Sequence, residues 1–121
     1  MAKKLIIVIA LVALGAAGFA ACRTRAAVKF GTPYQAVLLD NGQVYYGKIQ
    51  GLETAYPVLT DVYYVKSQVN PETKEVSNVL IRRGNEWHAP DRMFLNANHI
   101  VLMEPVNPKS KVAQLIAASR K

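Results

Sequence analysis

Apolar positions follow two unlike patterns along this chain. Between Leu5 and Ala21 they form one uncharged, mostly aliphatic run, preceded by Lys3 and Lys4 and followed by Cys22. From Tyr34 onward they come in short runs broken by glycine, proline, asparagine and aspartate, the pattern of β-strands separated by turns. Tyr34–Leu39 reads as a first strand, apolar enough to be buried on both faces. Asp40-Asn41-Gly42 follows it, and Asn-Gly is the strongest short hairpin signal because both residues accept the positive φ of a tight turn. Gln43–Gln50 is the return strand; Gly47 interrupts it, and a glycine inside a strand marks a bend or bulge.

Gly51–Pro57 is a loop, and Val58–Val69 is the longest strand. Strict alternation puts Val62 and Tyr64 on one of its faces with Thr60, and Leu59, Tyr63 and Val65 on the other with Asp61. Asn70-Pro71-Glu72-Thr73-Lys74-Glu75 is polar turn chemistry with proline presetting φ, and Val76–Arg83 pairs back. Gly84–Asn98 has no period, and His99–Glu104 is a last strand. After Pro108, the stretch from Ser110 to Lys121 places Val112, Leu115 and Ile116 on one helical face. The division that follows is 1–22 signal or anchor, 23–33 connector, 34–106 β domain and 107–121 amphipathic helix.

The N-terminal run has the makeup of an export signal or membrane segment. As a helix it would span roughly 25 Å, the short limit for crossing a bilayer core. Phe19-Ala20-Ala21-Cys22 is similar to a bacterial lipobox, which makes Cys22 the candidate lipidation site. An uncleaved anchor and ordinary signal-peptide cleavage are the other fates. Lys3 and Lys4 precede the run while Arg23, Arg25 and Lys29 follow it, so the charge rule gives no clear orientation. Cys22 is the sole cysteine, so no intrachain disulfide can form and the domain is held by its core alone.

The formal charge is +7. Cleavage before Cys22 removes two lysines and leaves 13 basic against 8 acidic residues. That balance suits anionic surroundings such as lipid headgroups or acidic envelope polymers; for an exported domain it is not a nucleic-acid signature.

The densest mixture of polar and aromatic groups lies in Gly84–Asn98. As a recognition loop it would use Trp87 and His88 for contact area, with Arg82, Arg83 and Arg92 for an anionic ligand. The plainer expectation closes one end of a barrel, with Trp87 and Phe94 plugging the core. Tyr45-Tyr46 and Tyr63-Tyr64 put one ring of each pair on each sheet face, so Tyr46 and Tyr64 could form an outward aromatic stripe; the plainer expectation is strand preference for tyrosine. Glu86, His88, Asp91 and His99 match no metal-ligand spacing. No nucleophile context, phosphate loop or carboxylate pair stands out, so neither catalysis, metal nor cofactor is expected.

Five short strands with a glycine-bent second and a long third member resemble the small SH3-like barrels, the Sm-like fold in particular. The likeness is carried by Val37-Leu38-Leu39-Asp40-Asn41-Gly42-Gln43-Val44-Tyr45-Tyr46-Gly47-Lys48-Ile49, by Val58-Leu59-Thr60-Asp61 and by Ile100-Val101-Leu102. Tyr56-Pro57 does not match the family's RNA-contacting aromatic-x-Asn element, and Asn96-Ala97-Asn98-His99 replaces its Arg-Gly element. The resemblance therefore implies a mainly β fold, a barrel of about five antiparallel strands, and not RNA binding. The stretches Gln35–Lys48 and Gly84–Pro90 also resemble short bacterial proteins with an N-terminal membrane segment, which implies an outward-facing anchored domain.

These readings lead to one expectation: a membrane-tethered, extracytoplasmic, non-enzymatic binding or scaffold module of the bacterial cell envelope. Its partner would be an envelope protein or acidic polymer, and oligomeric state is left open. The alternative is an Sm-like nucleic-acid binder on the cytoplasmic side.

Overall fold

The computed structural model describes residues 28–120. The Leu5–Ala21 run and Cys22 lie outside them. Among the described residues no helix is long and apolar enough to cross a membrane.

The domain is mainly β. Its strands are β1 (Gln35–Leu39), β2 (Val44–Gln50), β3 (Val58–Val69), β4 (Val76–Arg82), β5 (Arg92–Phe94) and β6 (Ile100–Pro105), followed by helix α1 (Lys111–Ser119). All ladders are antiparallel, in the order β4-β3-β2-β1-β6, with β5 also on β3. The sheet is open: among the described residues no ladder joins β5 to β6.

Local turn chemistry sets the two hairpins. At the first, Gly42 takes φ +85 and donates to the Leu39 carbonyl, and Asn41 Oδ1 accepts from the Gln43 amide. At the second, Asn70 Oδ1 accepts from the amides of Glu72 and Thr73, which closes the Asn70–Glu75 turn. The buried Gln35 ties the connector to the sheet. Its Nε2 donates to the Thr32 carbonyl at 2.6 Å and its Oε1 accepts from the Ile49 amide at 3.0 Å, so a polar side chain inside the fold is satisfied.

Strict alternation along β3 fails at Asp61. That residue sits at φ +52, and the β2–β3 register shifts there: Tyr46 pairs Tyr63, but Lys48 pairs Thr60. Gly47 thus opposes two residues, which is a β-bulge. The extra residue turns Val62 to the same side as Leu59 and moves Tyr63 to the other. Leu59 and Val62 join Val37 and Leu95 in the core, flanked by Leu39, Tyr45, Ile49, Met93, Ile100 and Met103 from β1, β2, β5 and β6. Glycine is required at 47 because a Cβ there would lie 2.8 Å from both Leu59 Cγ and the Thr60 carbonyl oxygen.

The bulge also divides the outer edge of β3. Its first three residues pair with β5 and Tyr63–Val69 pair with β4. β5 is a strand that the aperiodic Gly84–Asn98 pattern does not announce; it forms because β4 leaves the start of β3 uncovered.

One other expectation is corrected. Trp87 is fully exposed and Phe94 is 66% exposed, so neither plugs the core; Leu95 does. In α1, Ile116 is buried while Leu115 stays exposed. The helix is capped by Ser110, whose hydroxyl accepts from the Ala113 amide, and its end returns to the sheet through Arg120.

Candidate functional site: an arginine cleft

Four arginines from three separate parts of the chain converge beside the β3 bulge. Arg82 ends β4 and Arg83 opens the turn after it, Arg92 begins β5, and Arg120 follows α1. Together with Asp61, Gly84, Asn85, Pro90 and Asp91 they line a cleft of about 620 Å³. Two carboxylates among the lining residues face four guanidiniums, so the cleft carries surplus positive charge.

Asp61 organises one wall. Its side chain is 11% exposed; Oδ2 accepts the Tyr34 hydroxyl and pairs with Arg120, while Arg82 Nη2 approaches Oδ1 at 3.4 Å. The Arg82 contact lacks hydrogen-bond geometry, so Oδ1 is buried without a donor. Burial pushes the Tyr34 hydroxyl above its usual pKa, and Arg120 partly opposes that rise. The phenol therefore stays a donor to Asp61 at neutral pH. Tyr34 also packs edge-on against the buried Tyr63, with centroids 6.4 Å apart, and Arg120 and Lys48 sit over its ring. This network pins the end of α1 to the sheet.

The opposite wall is the turn leaving β4. Glu86 Oε2 accepts from the Gly84 amide at 2.8 Å, and this bond, more than nearby Arg83, holds its carboxyl below the usual pKa. Arg83 Nε lies 3.5 Å from Glu86 Oε1 without hydrogen-bond geometry, and that buried donor has no acceptor among the described residues. The Arg83 guanidinium lies over the Tyr45 ring, 5.9 Å from its centroid. Arg92 makes two hydrogen bonds to Asp91, of 3.2 and 3.1 Å, which lower the aspartate's pKa and raise its own. Both groups remain ionised at neutral pH.

No protein-family model matches the chain, and no curated protein matches it either.

Of the sequence-nominated residues, Arg82, Arg83 and Arg92 come together in the cleft. Trp87 and His88 stand at the exposed tip of the adjoining turn, where the Ala89 amide donates to the Glu86 carbonyl. Tyr46 and Tyr64 lie elsewhere and are half-buried; Tyr64 packs edge-on against Tyr45 at 6.3 Å, so no outward stripe exists. The four polar residues weighed as metal ligands are not gathered either: Glu86 faces Gly84, and His99 Nδ1 bonds Asp40 Oδ2 at 2.6 Å. Asp61, Tyr34 and Arg120 escape sequence reading, because only the returning helix brings position 120 next to position 61.

Four guanidiniums converge at this one opening. Their forked N–H groups match carboxylate and phosphate oxygens.

Proposed function

We propose that the protein is a membrane-tethered, non-enzymatic binding module of the bacterial cell envelope, its domain outside the cytoplasmic membrane, taking an anionic group in the arginine cleft. The observation that carries this reading is the convergence of Arg82, Arg83, Arg92 and Arg120 around one opening. The tether rests on the Leu5–Ala21 run and Cys22. The ligand class is a phosphate- or carboxylate-bearing envelope polymer, with Trp87 on the adjoining turn offering contact area. The glycine-bent β2 and the long β3 shared by three ladders further support reading the domain as a small SH3-like barrel, left open between β5 and β6.

The test is titration of the full chain with a soluble glycerol-phosphate polymer, followed by Trp87 emission, with neutral dextran as control. Arg82→Ala with Arg83→Ala is expected to weaken binding by about 30-fold, since a charge-assisted hydrogen bond contributes about 2 kcal/mol. Salt should weaken the wild-type interaction as well. Equal affinity of wild type and double variant, or equal affinity for dextran, sinks the reading. The same guanidiniums also suit a phosphodiester backbone, so a domain shielded from protease outside spheroplasts would favour the nucleic-acid alternative.

A further inference from the structure

Among the described residues, the distal half of the β3–β4 hairpin is a two-stranded arm with nothing on either side of it. β2 pairs with β3 no further than Tyr63, and residues from Val65 to Val79 are exposed. An isolated two-stranded hairpin is marginally stable in water. This one nonetheless presents Val65, Val69, Val76 and Val79 at 42, 59, 66 and 37% exposure. Val65 pairs Leu80 and Val69 pairs Val76, so four of its apolar residues share one face. Along Val76–Ile81 the strand has no lysine, no proline and no register shift, the devices that guard a sheet edge.

The hydrogen-bond pattern shows which groups that edge offers. Arg83 donates to the Val62 carbonyl at 2.8 Å and Asn70 to the Glu75 carbonyl at 2.9 Å. With the uninterrupted register between them, Glu75, Ser77, Val79, Ile81 and Arg83 turn their backbone groups toward β3. Val76, Asn78, Leu80 and Arg82 turn theirs outward.

We propose that β4 pairs antiparallel with β4 of a second copy, about a twofold axis through Val79. This register alone engages every outward residue with none overhanging. Val76 faces Arg82 and Asn78 faces Leu80, giving about eight intermolecular hydrogen bonds at two per facing pair. It also sets Glu75 of each copy opposite Arg83 of the other, and Arg82 opposite an uncharged valine. The pattern is thus complementary in charge as well as in hydrogen bonding, and isologous as a twofold contact requires. Two marginal arms become one four-stranded sheet. The pairing does not rest on the acidic-ligand reading.

Cysteine cross-linking of the full chain in its membrane tests the axis. In this register Val79 meets its own counterpart at a non-hydrogen-bonded position, where Cα atoms lie about 4.5 Å apart, within disulfide reach. Ser77 and its counterpart are offset by four residues, about 14 Å. Under mild oxidation Val79→Cys should run as a covalent dimer, while Ser77→Cys and wild type, which carries Cys22, should run as monomers. Cross-linking at both positions or at neither overturns the proposal. Val79→Lys places like charges on the axis at an exposed position and should halve the mass measured by sedimentation, whereas Val79→Thr should stay dimeric. Glu75→Arg should weaken dimerisation about tenfold and Arg83→Glu in the same chain should restore it. A wild-type chain that sediments as a monomer, or a Val79→Lys chain that remains dimeric, refutes the pairing.

Discussion

Gly47→Ala tests the bulge on which both the core and the cleft depend. The added Cβ would sit 2.8 Å from Leu59 Cγ and 2.8 Å from the Thr60 carbonyl oxygen. Leu59 is completely buried and Thr60 O is backbone, so neither can swing aside. Overpacking of this kind costs about 1–3 kcal/mol. The smaller conformational entropy of alanine in the unfolded chain offsets about 0.4–1 kcal/mol of it. A net loss of about 1–2 kcal/mol follows, and for a domain of this size each kilocalorie lowers Tm by about 4–8 °C. Thermal melts of the purified full chain, read by circular dichroism, should therefore show a drop of about 5–15 °C. Gly31→Ala is the control, because a Cβ there meets nothing within 4 Å. If Gly47→Ala melts with Gly31→Ala, β2 does not approach β3 at the bulge and the reassignment of Val62 and Tyr63 to their faces is wrong.

Asp61→Asn keeps the side chain's size and tolerates the positive φ, but removes the charge shared by Arg120 and Arg82. It should destabilise the domain by about 2 kcal/mol and raise amide exchange throughout α1, and Arg120→Ala should reproduce the second effect. Trp87→Ala should change stability by less than about 0.5 kcal/mol; a loss of several kilocalories would place that ring in a core. The hydrogen bond from the Gly84 amide, with nearby Arg83, holds the Glu86 carboxyl below its usual pKa. Its bond to Gly84 therefore contributes fully above that value and is lost as pH falls through the lower folded pKa. The Gly84 amide proton resonance should titrate with a midpoint below that of an ordinary glutamate, and Glu86→Gln should abolish the titration.

Much of the strand plan was legible because its signals are local. Asn41-Gly42 and Asn70-Pro71 write their turns with side-chain and φ preferences confined to a few residues, and the strands they delimit lie within a residue or two of expectation: β3 spans Val58–Val69 and β4 Val76–Arg82. Ser110 marked the start of α1 in the same way. The interruption at Gly47 signalled a bulge, although which partner residue was doubled could not be read from β2 alone.

What alternation could not supply was the side each β3 residue faces. A period of two presumes an unbroken ladder, and one residue at positive φ reverses every assignment beyond it. Tyr63 therefore left the face of Leu59, and Val62 took its place. β5 was hidden for a related reason: three residues carry no period, and they become a strand when another strand's edge is left unpaired. The cleft shows both limits together. Arg82, Arg83 and Arg92 stand close enough in sequence for their charge to be noticed. Asp61 and Arg120 were joined by the return of α1, across fifty-eight intervening residues that no local pattern spans. Sequence by itself determined where the chain turns and which segments are extended, since φ preference and side-chain capping act over a few bonds. Tertiary structure decided which residues face the core and which charges meet, because those follow from the bulge and from contacts made only once the strands have paired.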